Sequence, residues 1–427
     1  MKIKTGLIVI FLFQAFLPWC RSQATDFPND NTCYDPLIRT IQLFREDNEL
    51  SDPVIQLNTD DRLTLRFDDL APDIRRYKFT FRHCEAGWST SADLPVSDYI
   101  DGFREENIDQ FSYSYNTTIR YIHYEASFPT GSMKPKLSGN YLLIVYEEDP
   151  SLPVFTLRFM VVESTALSVI GNIAQSAEVA SRYSRQQIDF VIRLNGFTVR
   201  DVEREIRVAV KQNGRTDNVL YLSKPRFARS DELDYRFDEA ISFNGGNQFR
   251  YFDTKSLQYQ SERIERIIFD TATQVFLLPD LPRTYKQYVF EEDLNGRFFI
   301  KNEDHAEHSA TEADYAWVHF RMPWPEEIRT GSFHVLGELT CWQADNRSMM
   351  QYNPAGREYE LDLLLKQGYY NYVYVLKLKG KINLDESFFE GNHWETENDY
   401  TVLVYYREAG SLYDRLLSVA TINAIRP

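Results

Sequence analysis

Short runs of strict two-residue alternation, each closed by a turn signal, constrain this chain more than any other feature. Residues 61–70, DRLTLRFDDL, put Leu63, Leu65 and Phe67 on one side and Arg62, Thr64 and Arg66 on the other. In RYKFTFRH, Tyr77, Phe79 and Phe81 share a face in the same way. A period of two is the signature of a half-buried strand, because successive side chains leave opposite faces. Sustained helical periodicity is nearly absent. Residues 174–187, AQSAEVASRYSRQQ, are the best helical candidate, and they also fit a turn. Aromatic residues form 15% of the chain, with 29 Phe and 27 Tyr, which suits a pleated surface and predicts an all-β protein.

Turn signals divide the strands into three units. A first unit, 25–163, ends on VFTLRFMVVE at Glu163. A second, 164–284, contains strands that run into Asn-Gly turns at Asn195-Gly196 and Asn213-Gly214. It closes on LLPDLP, Leu277 to Pro282, whose two prolines predict a linker. The third, 285–427, holds GSFHVLGELTCW, YELDLLLKQGYYNYVYV and DYTVLVYYRE. At 427 residues the chain is long enough for several cores, and Ig-like or early-set β-sandwiches in series are the simplest arrangement.

The N-terminus predicts export. Lys2 and Lys4 precede an apolar run from Gly6 to Leu17, followed by Ser22-Gln23-Ala24, a small-residue cleavage pattern; residues 1–24 read as a signal peptide. Leu17-Pro18-Trp19-Cys20 loosely resembles a lipobox, which would make Cys20 a lipidation site, although Trp19 stands where a small residue is usual. No later apolar stretch is long enough for a transmembrane helix. The formal net charge of −16 disfavours nucleic acid as a partner.

Signals for chemistry are poor. The sequence has no GxSxG, HExxH, phosphate-loop or GxGxxG motif. His305 and His308 stand among Glu303, Asp304 and Glu307, but without apolar period, which predicts a solvated acidic loop rather than a metal site. The acid pairs Asp68-Asp69, Glu147-Glu148 and Glu291-Glu292 sit at strand ends, where charges meet water. His83 and Cys84 are neighbours on a strand, so they face apart and do not make a nucleophile–base pair. No catalytic residue, metal or cofactor is expected. Cleavage of the leader would leave Cys33, Cys84 and Cys341. If two of them pair, Cys33 with Cys84 is the expected disulfide, both lying in the first unit; a buried thiol at Cys84 is the alternative.

Several segments, in order, carry a resemblance. They are HCEAGWSTSADLPVSDYIDGF from His83, SYSYNTTIRYIHYEASFP from Ser112, LSGNYLLIVYEED from Leu137 and LRFMVVE from Leu157. Together with residues 38–70 and with Asp385 to Leu417, they resemble the plug proteins of the type IX secretion system of Bacteroidetes. Gly87 departs from the acid expected before Trp88. The resemblance implies a non-enzymatic periplasmic protein, peripheral to the outer membrane, that docks on and seals the translocon channel. Within the third unit, Gly337, Glu338, Leu339, Thr340 and Trp342, then Gly368, Tyr370 and Tyr372, are similar to starch- and glycogen-binding early-set modules. That likeness supports fold rather than function, with Trp342 read as a core or rim residue. It leaves a surface glycan-binding lipoprotein as the alternative, and a glycosidase or peptidase as a third. For docking, Tyr99, Phe103 and Phe111 in the long loop from Ser89 to Ser112, with Phe388 and Phe389, are the candidate partner-binding aromatics. The competing expectation is that the loop rings cap the first core.

Overall fold

The computed structural model describes residues 27–165, 167–222, 224–304, 308–381 and 383–423. The leader, Cys20 and His305 lie outside these residues. The protein is all-β, and its α-helices among the described residues are single four-residue turns such as Val96–Tyr99 and Ser387–Glu390. Residues 174–187 form no helix. They end the strand Ser168–Gln175, turn, and begin its antiparallel partner Arg185–Arg193.

The first unit is a sandwich. One sheet orders Thr32–Cys33, Phe155–Val162, Gly139–Tyr146, Tyr77–Cys84 and Glu106–Ile108; the other orders Ile38–Arg45, Leu63–Asp69, Ile122–Phe128 and Gln110–Tyr113. The alternation read from the sequence is what builds its core: Leu63, Leu65, Phe67, Tyr77, Phe79 and Phe81 all point inward and are buried. The strand Gly139–Tyr146 does not alternate, and all eight of its residues are buried. Strands covered on both faces read as continuous apolar runs. Here Leu142, Ile144 and Tyr146 pack with Cys84 on the outer face. Beside them Ala86 and Met160 meet Ala209, Leu403, Tyr405 and Leu416 of the second unit.

The second and third units are divided differently from the expected boundaries at 164–284 and 285–427. The strand Ile206–Gln212 pairs in antiparallel register with Asp399–Tyr406, which pairs in turn with Arg415–Asn423. These C-terminal strands supply Tyr400, Val402, Val404 and Ile422 to the second core. Conversely, Arg250–Asp253 pairs with Gly368–Leu378, and Ile264–Ile268 and Thr273–Leu277 join the sheet of Tyr315–Pro323 and Glu358–Lys366. The third sandwich is therefore inserted into the second. Local turn signals mark strand ends but carry no information about pairing across some two hundred residues.

The proline-marked segment is not a linker either. Its Asp280 is buried, with Oδ1 accepting from Arg250 at 2.8 Å and Oδ2 from the hydroxyls of Tyr372 and Tyr374 at 2.8 Å each. Arg250 and Arg283 also donate to Glu390, so this chain crossing is fixed by a buried, fully paired ionic cluster.

One carboxylate joins all three units. Asp52 of the first accepts from Lys211 of the second at 2.8 Å and from Arg297 of the third at 2.7 Å. Burial pushes this carboxyl up, but the two cations outweigh it and hold it well below the usual carboxylate range.

Candidate docking surface

The His83-Cys84 segment is packing. His83 is buried among the rings of Tyr99, Tyr141 and Tyr413, with Nδ1 2.8 Å from Ser91 Oγ. Burial brings its pKa down to about 4. Cys84 lies in the other cluster, with Leu142 and Ile144, and burial pushes its thiol up to about 12. A protonated thiol facing away from a neutral imidazole is no nucleophile. Trp88 stacks under the Arg158 guanidinium at 4.5 Å.

Cys33 and Cys84 are both free thiols. The strand carrying Cys33 is separated from the strand carrying Cys84 by two others in the same sheet. Three inter-strand steps of about 4.8 Å place them far beyond the roughly 7 Å that a disulfide spans between Cα atoms. Sharing a sandwich did not bring them together.

The five candidate aromatics separate sharply. Tyr99 is buried, with its ring against Tyr141 and His83. Phe389 is fully buried against Tyr374, with Arg250 over its ring at 5.3 Å. Neither is available to a partner. Both sit on the inward side of a single helical turn, whose 100° step per residue turns one neighbour in and the next out. Phe388, the outward neighbour, is 38% exposed beside Trp324 at 5.7 Å.

Phe103 and Phe111 are open to solvent. Phe103 is 68% exposed among the exposed charges of Asp101, Arg104 and Glu105. Phe111 is 40% exposed and lies on Gln110–Tyr113, a strand exposed along its whole length that pairs with Ile122–Phe128 at the edge of its sheet. Tyr113, 62% exposed, and Tyr115, 64% exposed, follow at the same spacing, with the Phe111 and Tyr113 rings 6.3 Å apart. The sequence carried this signal: FSYSY spaces its rings two apart, so Phe111 and Tyr113 leave the same strand face, while Tyr115 lies just past the strand with its N–H donating to Thr311 O at 2.9 Å. An edge strand with free backbone groups and aromatics beside acids is a surface that a partner can extend or cover. Phe388 belongs to a separate patch on the third unit.

Behind this edge the first and third units are bolted together. Asp68 Oδ2 accepts from Lys366 Nζ and from the Tyr315 hydroxyl at 2.7 Å each, and Oδ1 lies 2.7 Å from His123 Nδ1. Thr40 Oγ1 stands 2.6 Å from the Tyr315 oxygen. Burial raises the Asp68 carboxyl, but Lys366 and His123 more than offset this and hold it low. Next to the bolt, a cavity of about 340 Å³ opens along the seam, between Arg39 and Thr40 on one wall and Trp317, Leu364 and Cys341 on the other.

Among the described residues no group of three or more His, Cys, Asp or Glu is arranged to hold a metal ion, and no helix is long and apolar enough to cross a membrane. Trp342 is buried edge-on to Phe249 and does not offer a sugar platform.

The type 9 secretion system plug protein 1st domain matches residues 38–163 of the sequence. No curated protein matches the chain. A hypothetical protein from Parabacteroides merdae ATCC 43184, crystallised and solved at 2.30 Å, is 32% identical and superposes with a TM-score of 0.89. The match covers 93% of this chain and all of that one.

Proposed function

Because the chain belongs to the type 9 secretion system plug protein family, we propose that it is a non-enzymatic periplasmic plug that docks on the outer-membrane channel of that system and seals it when idle. The supporting observation is the coincidence of two things in one unit. The family domain spans residues 38–163, and that stretch carries the exposed edge-strand rings Phe111 and Tyr113, together with the exposed rings of Phe103 and Tyr115. A channel wide enough for folded cargo leaks unless something of fixed shape fills its mouth. The units here are tied by Asp52 and Asp68, so contacts made by the first unit hold the whole body in place. Exposed rings with an acidic rim suit contacts that must form and release, since a few desolvated aromatics carry most of such binding energy.

The test is affinity purification of the tagged chain from detergent-solubilised outer membranes. A very large β-barrel protein co-eluting at near-stoichiometric yield is the expected result. Retention on starch or glycogen resin with no barrel in the eluate would replace this function with the glycan-binding one.

A further inference from the structure

The cavity at the seam between the first and third units has a thiol on each side. Cys33 ends the strand Thr32–Cys33, and its Sγ–H donates to Asp35 O at 3.2 Å. Cys341 caps the short turn Glu338–Thr340 in a left-handed conformation, φ 53°, followed by Trp342 at φ 58°. Two consecutive non-glycine residues in that region are unusual, and they aim the turn at the seam. Both cysteines are free and both line the same cavity, whereas Cys84 is sealed in a core. Arg347 holds the two sides in place: Nη1 donates to Cys33 O at 2.9 Å, while Nε and Nη2 donate to Asp345 at 3.0 and 2.7 Å.

We propose that Cys33 and Cys341 form a disulfide that locks the first unit to the third when the exported chain meets an external disulfide. The electrostatics give the order of events. Burial raises the Cys33 thiol, and Arg347 and Arg39 offset only part of that rise. Burial, then the nearby Cys33, pushes Cys341 up to about 12. Cys33 therefore supplies the attacking thiolate. Its sulfur displaces one thiolate from the external disulfide and forms a mixed disulfide. Cys341, giving its proton to solvent, then attacks the Cys33 sulfur and displaces the second thiolate. Two protein thiols are oxidised, and one external disulfide is reduced to two thiols. The bond requires the Cα atoms to come within about 7 Å. It would close the seam covalently between residues distant in sequence, constraining the unfolded chain strongly. The lock does not depend on the docking function.

The experiment treats the full chain with oxidised glutathione, alkylates free thiols, and maps peptides by mass spectrometry. The expected result is a Cys33–Cys341 cross-linked peptide, with Cys84 labelled only after denaturation. The melting temperature should rise on oxidation, and this rise should vanish in both Cys33→Ser and Cys341→Ser but persist in Cys84→Ser. Cys33 and Cys341 both left alkylatable, or ending as separate glutathione adducts, would overturn the proposal, as would a link from Cys33 to Cys84.

Discussion

The sheet that carries Ile122–Phe128 is bounded in two opposite ways. Where it meets the third unit, it presents Asp68 and His123, which are polar yet sealed: Asp68 accepts from Lys366 and Tyr315 and lies against His123 Nδ1, while His123 Nε2 is buried without a hydrogen-bond partner. At its free edge, one strand away, it presents Phe111 and Tyr113, which are apolar yet exposed. His123 and Ser112 are direct partners in that ladder, as are Tyr124 and Phe111. Buried charge is tolerated where it is paired, and both Asp68 oxygens have partners, so the bolt is an interface already closed inside the molecule. Exposed rings at an unpaired edge are open to water, and on the proposed function they are the side that a partner covers.

The largest expected effect comes from breaking the closed side. Asp68→Ala leaves the Lys366 ammonium buried without its carboxylate, which should cost about 3–5 kcal/mol. Denaturant unfolding measures it, and a loss below about 1 kcal/mol would mean that the bolt is not buried in solution. Asp68→Asn should recover part of the loss, since the amide oxygen still accepts.

Phe388 and Phe389 repeat the comparison within two residues. Phe389→Ala empties a filled site in the third core and should cost about 3–4 kcal/mol. Phe388→Ala removes a partly exposed ring that rests on Trp324 and should cost less, about 1–2 kcal/mol. Equal melting losses from the two would erase the distinction between inward and outward rings.

Asp52→Asn sharpens the account of how the units are joined. It should cost about 2 kcal/mol at pH 7, less than a fully buried pair because Asp52 keeps some contact with water. The folded-state carboxyl is held below the ordinary range, so its contribution is complete above the unfolded pKa of about 3.9 and fades as pH falls below it. The difference between wild type and Asp52→Asn should therefore shrink on acidification below about pH 4. A difference that grows there would give the wrong sign.

Glu338, on the wall of the seam cavity, behaves in the opposite sense. Burial raises its carboxyl to about 7, against the pull of Arg297. A raised carboxyl favours the folded state at low pH, and that contribution is lost as pH rises through the folded value. Glu338→Gln should be neutral near pH 4 and more stable than wild type by about 1 kcal/mol at pH 8. Equal stability of the two proteins at both pH values would show that Glu338 is not buried in solution.

The sequence was most informative where a structural choice is local. Alternation in 61–70 and 76–83 identified inward residues correctly, because a strand's two faces follow from its own periodicity. It was uninformative where partners are distant. Nothing near Ile206 points to Tyr406, so the insertion of the third sandwich could not be read from turn residues. The same limit misplaced the cysteines: membership of one sandwich suggested Cys33 with Cys84, whereas the sheet order separates them. Among the candidate aromatics, the loop and turn positions of Tyr99 and Phe389 gave no period from which to judge their facing. Phe111 lay in an alternating run that also marked Tyr113 and Tyr115.

The open edge is tested most directly by removing its rings without disturbing the bolt behind it. The triple variant Phe103→Ala, Phe111→Ala, Tyr113→Ala should remain folded and lose no more than about 2 kcal/mol, since Phe103 and Tyr113 are mostly in water and Phe111 is partly so. Each docking ring that acts as a hot spot is worth about 2 kcal/mol of binding, so recovery of the outer-membrane channel with the tagged variant should fall at least tenfold. Wild-type recovery by a stably folded triple variant would contradict the claim that this edge is where the molecule docks.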